Sequence, residues 1–408
     1  MLGIILLLPA PDGTVGQQDR AQADWIYAGI VYVVENQIRV TRPRFSAGLY
    51  DKNGDLKYFF RKINSLSWDY NRIGGCGQAD MTILLMAKTG IDLTIAPQDE
   101  LRIVIDNELR YSGKYIKRAR KVTKGSETIK FLFYGYLSEL DDIIVHETYD
   151  GMEVSQIVMS ILDNYIVGVK NLTYTAADIM DTGYTVQSIS FNHSVKDALN
   201  LLAGLGGNVE WGVDRNKKVF FKQADKVIRR SYKIGKDVND YEEIEDIEQV
   251  KNELFVFGSD GTEPLSTIEA FGSSSIYGVK QANLFESSIT APSDASRLGA
   301  VILKKQSGRQ RQIKMSLLKA DEFVERTLPL GAAALLFPTV SLRNKYGTHI
   351  KYGKSHKYGN MRADQISTVK YTMIGGAIAI QAVLENEIPS IGVQQNRIEF
   401  ELKDLQRR

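Results

Sequence analysis

Short stretches rich in β-branched and aromatic residues recur about every ten residues over the first third of the chain. Residues 26–34 (IYAGIVYVV) have the composition of a strand. Residues 51–55 (DKNGD) predict a hairpin turn, because Asn-Gly tolerates the positive φ angles that such turns require. A second hairpin is predicted at residues 106–108, and a further strand over residues 128–137. This spacing, with no long helical pattern, predicts a sandwich or a barrel.

The hydrophobic period becomes helical in the middle of the chain. Apolar side chains over residues 154–165 lie on one face of a predicted helix. A second helix is predicted to begin after Ser194, which starts a capping box, and to end at Gly206-Gly207. A β-hairpin over residues 208–221 follows it. Two helices and a hairpin together predict a small α+β unit.

The pattern then returns to short strands. Residues 237–253 contain eight acidic residues and one lysine, which predicts a solvated connector. A short helix is predicted after Ser293, extending to about Gln306, and short strands are predicted over residues 312–402. The element order therefore predicts a mainly β fold with an α+β insertion.

These changes of pattern divide the chain into five segments. They are an N-terminal extension (1–30), a first β domain (31–149), an α+β inserted domain (150–225), an acidic connector with a returning strand (226–262) and a second β domain (263–408).

Composition narrows the functional classes. The 408 residues include 51 Lys and Arg against 49 Asp and Glu, a net charge of +2, which argues against a dedicated duplex-binding protein. The apolar run at residues 4–8 has no basic residue before it and is far shorter than a membrane span. We therefore expect a short strand there, with no export signal and no stable membrane insertion. One cysteine excludes an internal disulfide.

No set of residues predicts catalysis or metal binding. The four histidines, at positions 146, 193, 349 and 356, are scattered and lack the i, i+4 spacing of a zinc-binding helix. Cys76 lies among glycines, which favour a tight bend rather than a nucleophile. We expect no catalytic residue, no cofactor and no metal, and hence no enzyme.

One repeat points to an interaction surface. The tripeptide Lys-Tyr-Gly occurs at residues 345–347, 351–353 and 357–359, and its even period places equivalent side chains on one face of an extended segment. The segment 343–362 is predicted to be a basic hairpin that contacts a subunit or an acidic partner, with single-stranded nucleic acid as the alternative. The acidic stretch 237–253 is complementary to it in charge. The predicted contact residues are Lys345, Tyr346, Lys351, Tyr352, Lys354, Lys357 and Tyr358.

Three passages carry a resemblance to a known family. They are residues 66–77 (LSWDYNRIGGCG) before a strand, the helix 195–203 (VKDALNLLA) with its hairpin, and residues 328–331 (LPLG) followed by closing strands at 366–374 and 377–384. In this order they resemble the tail hub and baseplate hub proteins of long-tailed bacteriophages, which are related to the hubs of contractile injection systems.

The resemblance implies two tail-tube-like β-barrel domains flanking a small α+β domain. It implies a homotrimeric structural virion protein at the distal end of the tail, made in the host cytoplasm. Such a hub closes the tail tube, adapts the sixfold tube to a threefold tip and opens for DNA ejection. Its implied partners are itself, the distal tail or tail tube protein, the tape measure protein and a central tail fibre or spike, with phage DNA passing without specific binding. The alternative is a tail-tip protein that binds host-surface glycans or degrades the envelope.

Overall fold

The computed structural model describes residues 26–385 except 28–29, 35–36, 42–43, 61, 87–93, 124–125, 208, 225–227, 236, 260, 318–331, 339–357 and 375–376. Its N-terminal part is a β region. The strands of this first β region are β1 (Ile26–Tyr27), β2 (Ile30–Val34), β3 (Gln37–Thr41), β4 (Arg44–Tyr50), β5 (Leu56–Phe59), β6 (Ser65–Asn71), β7 (Gly74–Met86), β8 (Glu100–Ile105), β9 (Glu108–Thr123) and β10 (Ser126–Tyr134).

An α+β unit follows, and its first helix continues into a π-helical turn at Leu162–Ile166. Its elements are β11 (Ile144–Val145), β12 (Thr148–Glu153), α1 (Val154–Ile161), β13 (Thr185–Ser190), β14 (His193–Ser194), α2 (Val195–Gly206), β15 (Val209–Val213) and β16 (Val219–Gln223). Short 3₁₀ turns occur at Tyr136–Leu140 and Ala176–Asp178.

The remaining described residues are mostly strands. Their elements are β17 (Ile228–Lys233), β18 (Val238–Asp246), β19 (Glu253–Phe257), β20 (Pro264–Glu269), α3 (Phe271–Tyr277), β21 (Gln281–Phe285), α4 (Pro292–Gln306), β22 (Gln310–Leu317), β23 (Ala332–Pro338), β24 (Tyr358–Ile374) and β25 (Ala377–Glu385).

Local sequence chemistry explains the best-predicted elements. Asp106 and Asn107 adopt positive φ angles of 51° and 63°, as the two-residue turn between β8 and β9 requires. The Ser194 Oγ accepts a hydrogen bond from the backbone N–H of Asp197 at 3.1 Å and so caps α2. Gly207 ends that helix with a φ of 95°. These predictions are confirmed.

The two β regions share one sheet and one hydrophobic core. The principal path of this 16-stranded sheet is β1-β4-β8-β9-β10-β7-β6-β24-β25-β22-β18, so the first region joins the second where β6 pairs with β24. At this junction the Trp68 and Tyr371 rings stack with centroids 5.0 Å apart. The core contains buried side chains from both regions, including Leu66, Phe131 and Val369. The two regions are therefore fixed side by side.

A second core lies in the α+β unit. It is formed by α1, α2, β15 and β16, and it also includes Leu254 of β19 and Leu298 of α4. The buried Asp294 carboxylate of α4 accepts hydrogen bonds from the Tyr184 hydroxyl at 2.7 Å and from the backbone N–H of Ser188 at 3.1 Å. Residues 253–306 therefore pack on the α+β unit, whereas the sequence division placed residues from 263 onward in the second β domain. The domain boundaries themselves stay predictions.

The acidic stretch differs from its expected form. We expected a solvated connector over residues 237–253, but residues 238–246 form the edge strand β18, which pairs with β22. An edge strand needs only one face in contact with the core, and here Val238 and Tyr241 supply that contact while the acidic side chains reach water. The mainly β fold class with a helical insertion is confirmed. None of the helices in the described residues is long and apolar enough to span a bilayer.

Candidate assembly site

The predicted Lys-Tyr-Gly contact lies almost wholly outside the described residues. This applies to Lys345, Tyr346, Lys351, Tyr352, Lys354 and Lys357. Tyr358 is the first residue of β24, where the backbone alone is described. The contact role of this segment therefore stays a prediction.

The glycine bend predicted around Cys76 joins the first β region to the α+β unit. Gly74 and Gly75, at the start of β7, have φ angles of 103° and 80° and pair in parallel with Gly212 and Val213 of β15. A Cβ atom on Gly75 would lie 2.0 Å from the Val213 carbonyl oxygen. The backbones approach so closely that side chains are excluded, and this explains the run of glycines.

A buried ion pair crosses the same junction. Arg72, in the turn before β7, donates its Nε–H to the Glu210 carboxylate on β15. Their side chains are only 3% and 0% exposed. Two charges removed from water in this way stabilise the fold only as a matched pair. The sequence predicts the bend that follows Arg72. It does not reveal that Glu210 pairs with Arg72, because the two residues are 138 positions apart.

The turn between β15 and β16 strengthens the junction. Lys217 lies 2.5 Å from the Glu100 carboxylate, and Arg215 donates to the Leu109 carbonyl oxygen at 2.9 Å. The Arg215 guanidinium also lies over the Tyr70 ring, 5.3 Å from its centroid. The turn thus contacts the β8–β9 hairpin through two side chains, and the α+β unit is held against the first β region at several points.

Cys76 is part of this packing and does not have the environment of a nucleophile. Its side chain is buried beside Gly135, where a Cβ atom would lie 1.8 Å from the Cys76 carbonyl oxygen. Burial raises the pKa of the Cys76 thiol from 9.0 to about 12, so the reactive thiolate is scarce at neutral pH. The described part of the chain contains no group of three or more His, Cys, Asp or Glu side chains arranged to hold a metal ion.

The raised pKa of Cys76 predicts a loss of stability in alkaline solution. Between pH 9 and about 12 the unfolded chain releases the thiol proton while the folded chain keeps it. The free energy of unfolding should therefore be unaffected by this group below pH 9 and should fall above it, by at most about 1.4 kcal/mol per pH unit. Urea unfolding at several pH values should show a shallower alkaline decline for Cys76→Ala. Equal slopes for the two proteins, or rapid thiol labelling of the folded chain at pH 8, would contradict the burial of this group.

A protruding basic hairpin was missed by the sequence analysis. Strands β9 and β10 pair as far as Thr123 and Ser126, but β8 pairs with β9 only up to Lys114. Residues 116–122 are exposed on both faces and carry Lys117, Arg118, Arg120 and Lys121. The run of basic residues around a single alanine was the available signal, since it breaks the alternation of a half-buried strand.

A second exposed segment, apolar in character, is formed by α3 and the residues that follow it; we call it the α3 projection. Phe271 and Ile276 are 75% and 73% exposed, and the following Val279 is 69% exposed. The buried Asn252 fixes the segment, because its side chain donates to the Gly278 carbonyl oxygen and accepts from the Lys280 N–H, both at 2.7 Å. Exposed apolar groups held on an ordered segment are typical of protein contact surfaces.

Solved structures share this arrangement over most of the chain. The 43 kDa tail protein of prophage MuSo2 from Shewanella oneidensis has a TM-score of 0.57 at 11% identity, covering 83% of this chain and 98% of the other. A tail protein from Neisseria meningitidis MC58 has the same score and identity, covering 84% and 96%. The prophage tail protein gp18 from Listeria monocytogenes EGD-e has a TM-score of 0.52 at 12% identity, covering 88% and 99%.

The chain has the fold of phage tail proteins. The resemblance stated from the sequence is therefore confirmed at the level of the fold, although no family model and no curated protein sequence matches the chain. In this tail-protein fold the glycine bend, the Arg72–Glu210 pair and the turn between β15 and β16 are structural joints. Among the described residues, the basic hairpin and the α3 projection are exposed segments.

Proposed function

We propose that this protein is a structural component of a phage virion and forms the homotrimeric hub of the tail. It closes the distal end of the tail tube, adapts the sixfold tube to a threefold fibre or spike, and opens for DNA ejection. Its partners are two further copies of itself, the distal tail or tube protein, the tape measure protein and the central fibre or spike. The proposal assigns it no catalytic activity and no cofactor.

The observation that carries the proposal is the continuous sheet shared by the two β regions. Seven residue pairs join β6 to β24, and both regions contribute to one core. Two β regions fixed side by side in one chain give six such regions in a trimer, which matches a sixfold tube while keeping a threefold symmetry below. The fold shared with phage tail proteins supports the same role.

The charge of the chain is compatible with passage of DNA. Its 51 basic and 49 acidic residues give a net charge of +2, too small an excess for strong nonspecific binding to the phosphate backbone. A tail channel has to let DNA slide, so weak binding favours this function.

The proposal predicts a trimer in solution. Light scattering at several concentrations should give three times the chain mass of 45.7 kDa, because each copy has the same set of contact surfaces. Electron microscopy of the same sample should show rings with threefold symmetry. A monomer at every concentration, even after addition of the tail tube protein, would contradict the hub function.

A further inference from the structure

The helix of the α3 projection is anchored on one side and exposed on the other. None of its seven residues is buried. The Ser273 hydroxyl donates to the carbonyl oxygen of Ser307, just after α4, and so fixes the anchored side. At about 100° per residue, the exposed residues lie together on the other side, namely Phe271, Gly272, Ser275 and Ile276. The helix therefore presents two large apolar side chains with small residues between them.

Gly272 has no structural requirement within its own chain. In the part of the chain that the structure describes, a Cβ atom on this residue would have nothing within 4 Å, and its φ angle lies outside the region that favours glycine. Glycine is less favourable than alanine in a helix, because it loses more conformational freedom on folding. A partner that comes close to the helix between Phe271 and Ile276 explains the glycine, since a side chain there would stand in its way.

Two carboxylates face each other beside α3. Glu269 ends β20, two residues before Phe271, and it is opposite Glu253 of β19. Neither side chain forms an ion pair among the described residues, and the Glu253 carboxylate accepts a hydrogen bond from the Gln281 side chain at 2.7 Å. Like charges opposite each other destabilise a cross-strand pair. A cation supplied by a partner would relieve this repulsion, so the surface favours a basic partner that also carries apolar or aromatic groups.

The Lys-Tyr-Gly segment of this chain has that chemistry. Residues 343–357 contain five basic residues, two tyrosines and no acidic residue. Aromatic and basic side chains together can cover an apolar surface while they neutralise carboxylates beside it. The segment lies between Pro338 and Tyr358, and these two residues pair at the ends of β23 and β24.

Both features lie at the same end of the large sheet. Gln312 of β22 and Gln365 of β24 pair with the same residue of β25, Glu385, so they lie at the same level. Both strands are antiparallel to β25, and toward lower residue numbers they lead to Ser307, where α3 is anchored, and to Tyr358, where the segment ends. A rotation about an axis parallel to the strands preserves this level. In a ring, the segment of one copy can therefore meet the α3 projection of the next.

We propose that the Lys-Tyr-Gly segment of one copy, residues 343–357, docks on the α3 projection and on the Glu253–Glu269 pair of the next copy. Its lysines approach the two carboxylates, and its tyrosines cover the apolar side chains. The segment comes from a neighbouring copy, because Phe271 and Ile276 are 75% and 73% exposed in the single chain. Since the contact joins different surfaces, its repetition gives a ring rather than a twofold dimer. This inference rests on the proposed self-assembly and names the surfaces that produce it.

The first test exchanges the charges of the two surfaces. Lys351→Glu with Lys354→Glu reverses the segment, and Glu253→Lys with Glu269→Lys reverses the surface that receives it. Each double variant should raise the dissociation constant of the trimer by about 100-fold or more, because like charges then meet in the contact. The variant with all four substitutions should regain most of the affinity, since it restores opposite charges. A trimer that survives either reversal, or a fourfold variant that does not recover, would overturn the docking.

The second test adds a side chain where the segment should approach. Gly272→Leu should leave the urea midpoint of the single chain unchanged or higher, because leucine favours a helix and meets no neighbour there. It should nevertheless weaken the trimer by about tenfold or more, because the new side chain occupies the space of the incoming segment. A trimer of unchanged affinity would mean that nothing docks on this side of α3, and the proposal would fall.

Cross-linking identifies the copy that supplies the segment. Co-expressed chains that carry Ile276→Cys or Tyr352→Cys should form covalent dimers on oxidation, whereas neither variant alone should form them. The native Cys76 is buried and does not compete. A chain with both substitutions should link to its neighbours. Links confined to one chain would contradict docking between copies.

The controls separate this inference from the hub proposal. Lys52→Glu with Lys130→Glu, and Asp55→Lys with Asp150→Lys, make the same changes of net charge at exposed positions outside both surfaces and should leave the trimer intact. Circular dichroism of each variant reports whether the single chain folds. A native trimer whose variants fail these tests would overturn the docking and leave the trimer standing. A native chain that never forms a trimer would overturn both proposals.

Discussion

Glu210→Ala is expected to lower the free energy of unfolding by about 3–5 kcal/mol, because it removes the carboxylate to which the buried Arg72 guanidinium donates. The Glu210 side chain lies in the interior, so water cannot replace the lost carboxylate at low cost. Since the pair joins the first β region to the α+β unit, the loss should also make the two cores unfold less cooperatively. Urea unfolding followed by tryptophan fluorescence measures both effects, with Trp68 in one core and Trp211 in the other.

Two control variants identify the cause of that loss. Asp141→Ala removes the ion pair with Lys196, whose partners are 45% and 25% exposed, and should change stability by no more than about 1 kcal/mol. Arg72→Met combined with Glu210→Leu removes both buried charges and should be less destabilising than Glu210→Ala alone. If the double replacement were as harmful as the single one, the damage would come from packing and not from an unpaired charge.

Elements whose conformation is set by neighbouring residues could be predicted from the sequence. The Asp106-Asn107 turn was predictable because its two residue types tolerate positive φ angles, and α2 because Ser194 and Gly207 mark its ends. The exposed face of β18 was not, because a run of acidic residues has the same composition in a linker and in an edge strand.

Contacts between distant parts of the chain could not be derived from local pattern. Trp68 stacks on Tyr371, although the two residues are about 300 positions apart in the sequence. Nothing in the sequence of either strand indicates that it pairs with the other. The same holds for the candidate assembly site. The sequence indicates a bend at the glycines before Cys76, but only the structure shows β15 lying against it. Such pairings are decided by how whole elements pack, so a single sequence leaves several topologies open.

The sequence analysis predicted neither the turn between β9 and β10 nor the projection that these two strands form. The projection forms because β9 continues past Lys114, where its pairing with β8 ends. No single residue of β9 indicates where that pairing stops. The four basic residues of this hairpin are nonetheless visible in the sequence. Residues 116–122 are exposed on both faces of the strand, which explains why charged side chains are tolerated there. Charges in the middle of a long strand point to a segment that leaves the core, and this pattern was the available clue.

Gly75→Ala is expected to be among the most damaging substitutions in the chain. At a φ of 80° an alanine is strained by about 1–2 kcal/mol, and its Cβ would lie 2.0 Å from the Val213 carbonyl oxygen. That oxygen belongs to the backbone beside β7, so relief requires the parallel pairing of β7 with β15 to open. Overpacking of this kind adds about 1–3 kcal/mol. The variant should show a lower urea midpoint and faster hydrogen exchange at residues 74–75 and 209–213.

Gly168→Ala is the matched control for this prediction. Its φ is 82°, almost equal to that of Gly75, and a Cβ atom there has nothing within 4 Å. It should therefore show the conformational strain of about 1–2 kcal/mol alone. The difference between the two variants isolates the cost of separating β7 from β15, since the backbone strain cancels. Equal losses would mean that the glycine is required only for its φ angle and that the close approach of the two strands contributes nothing. A larger loss at Gly75 would show that the close approach of β7 to β15, and with it the contact between the first β region and the α+β unit, contributes to stability.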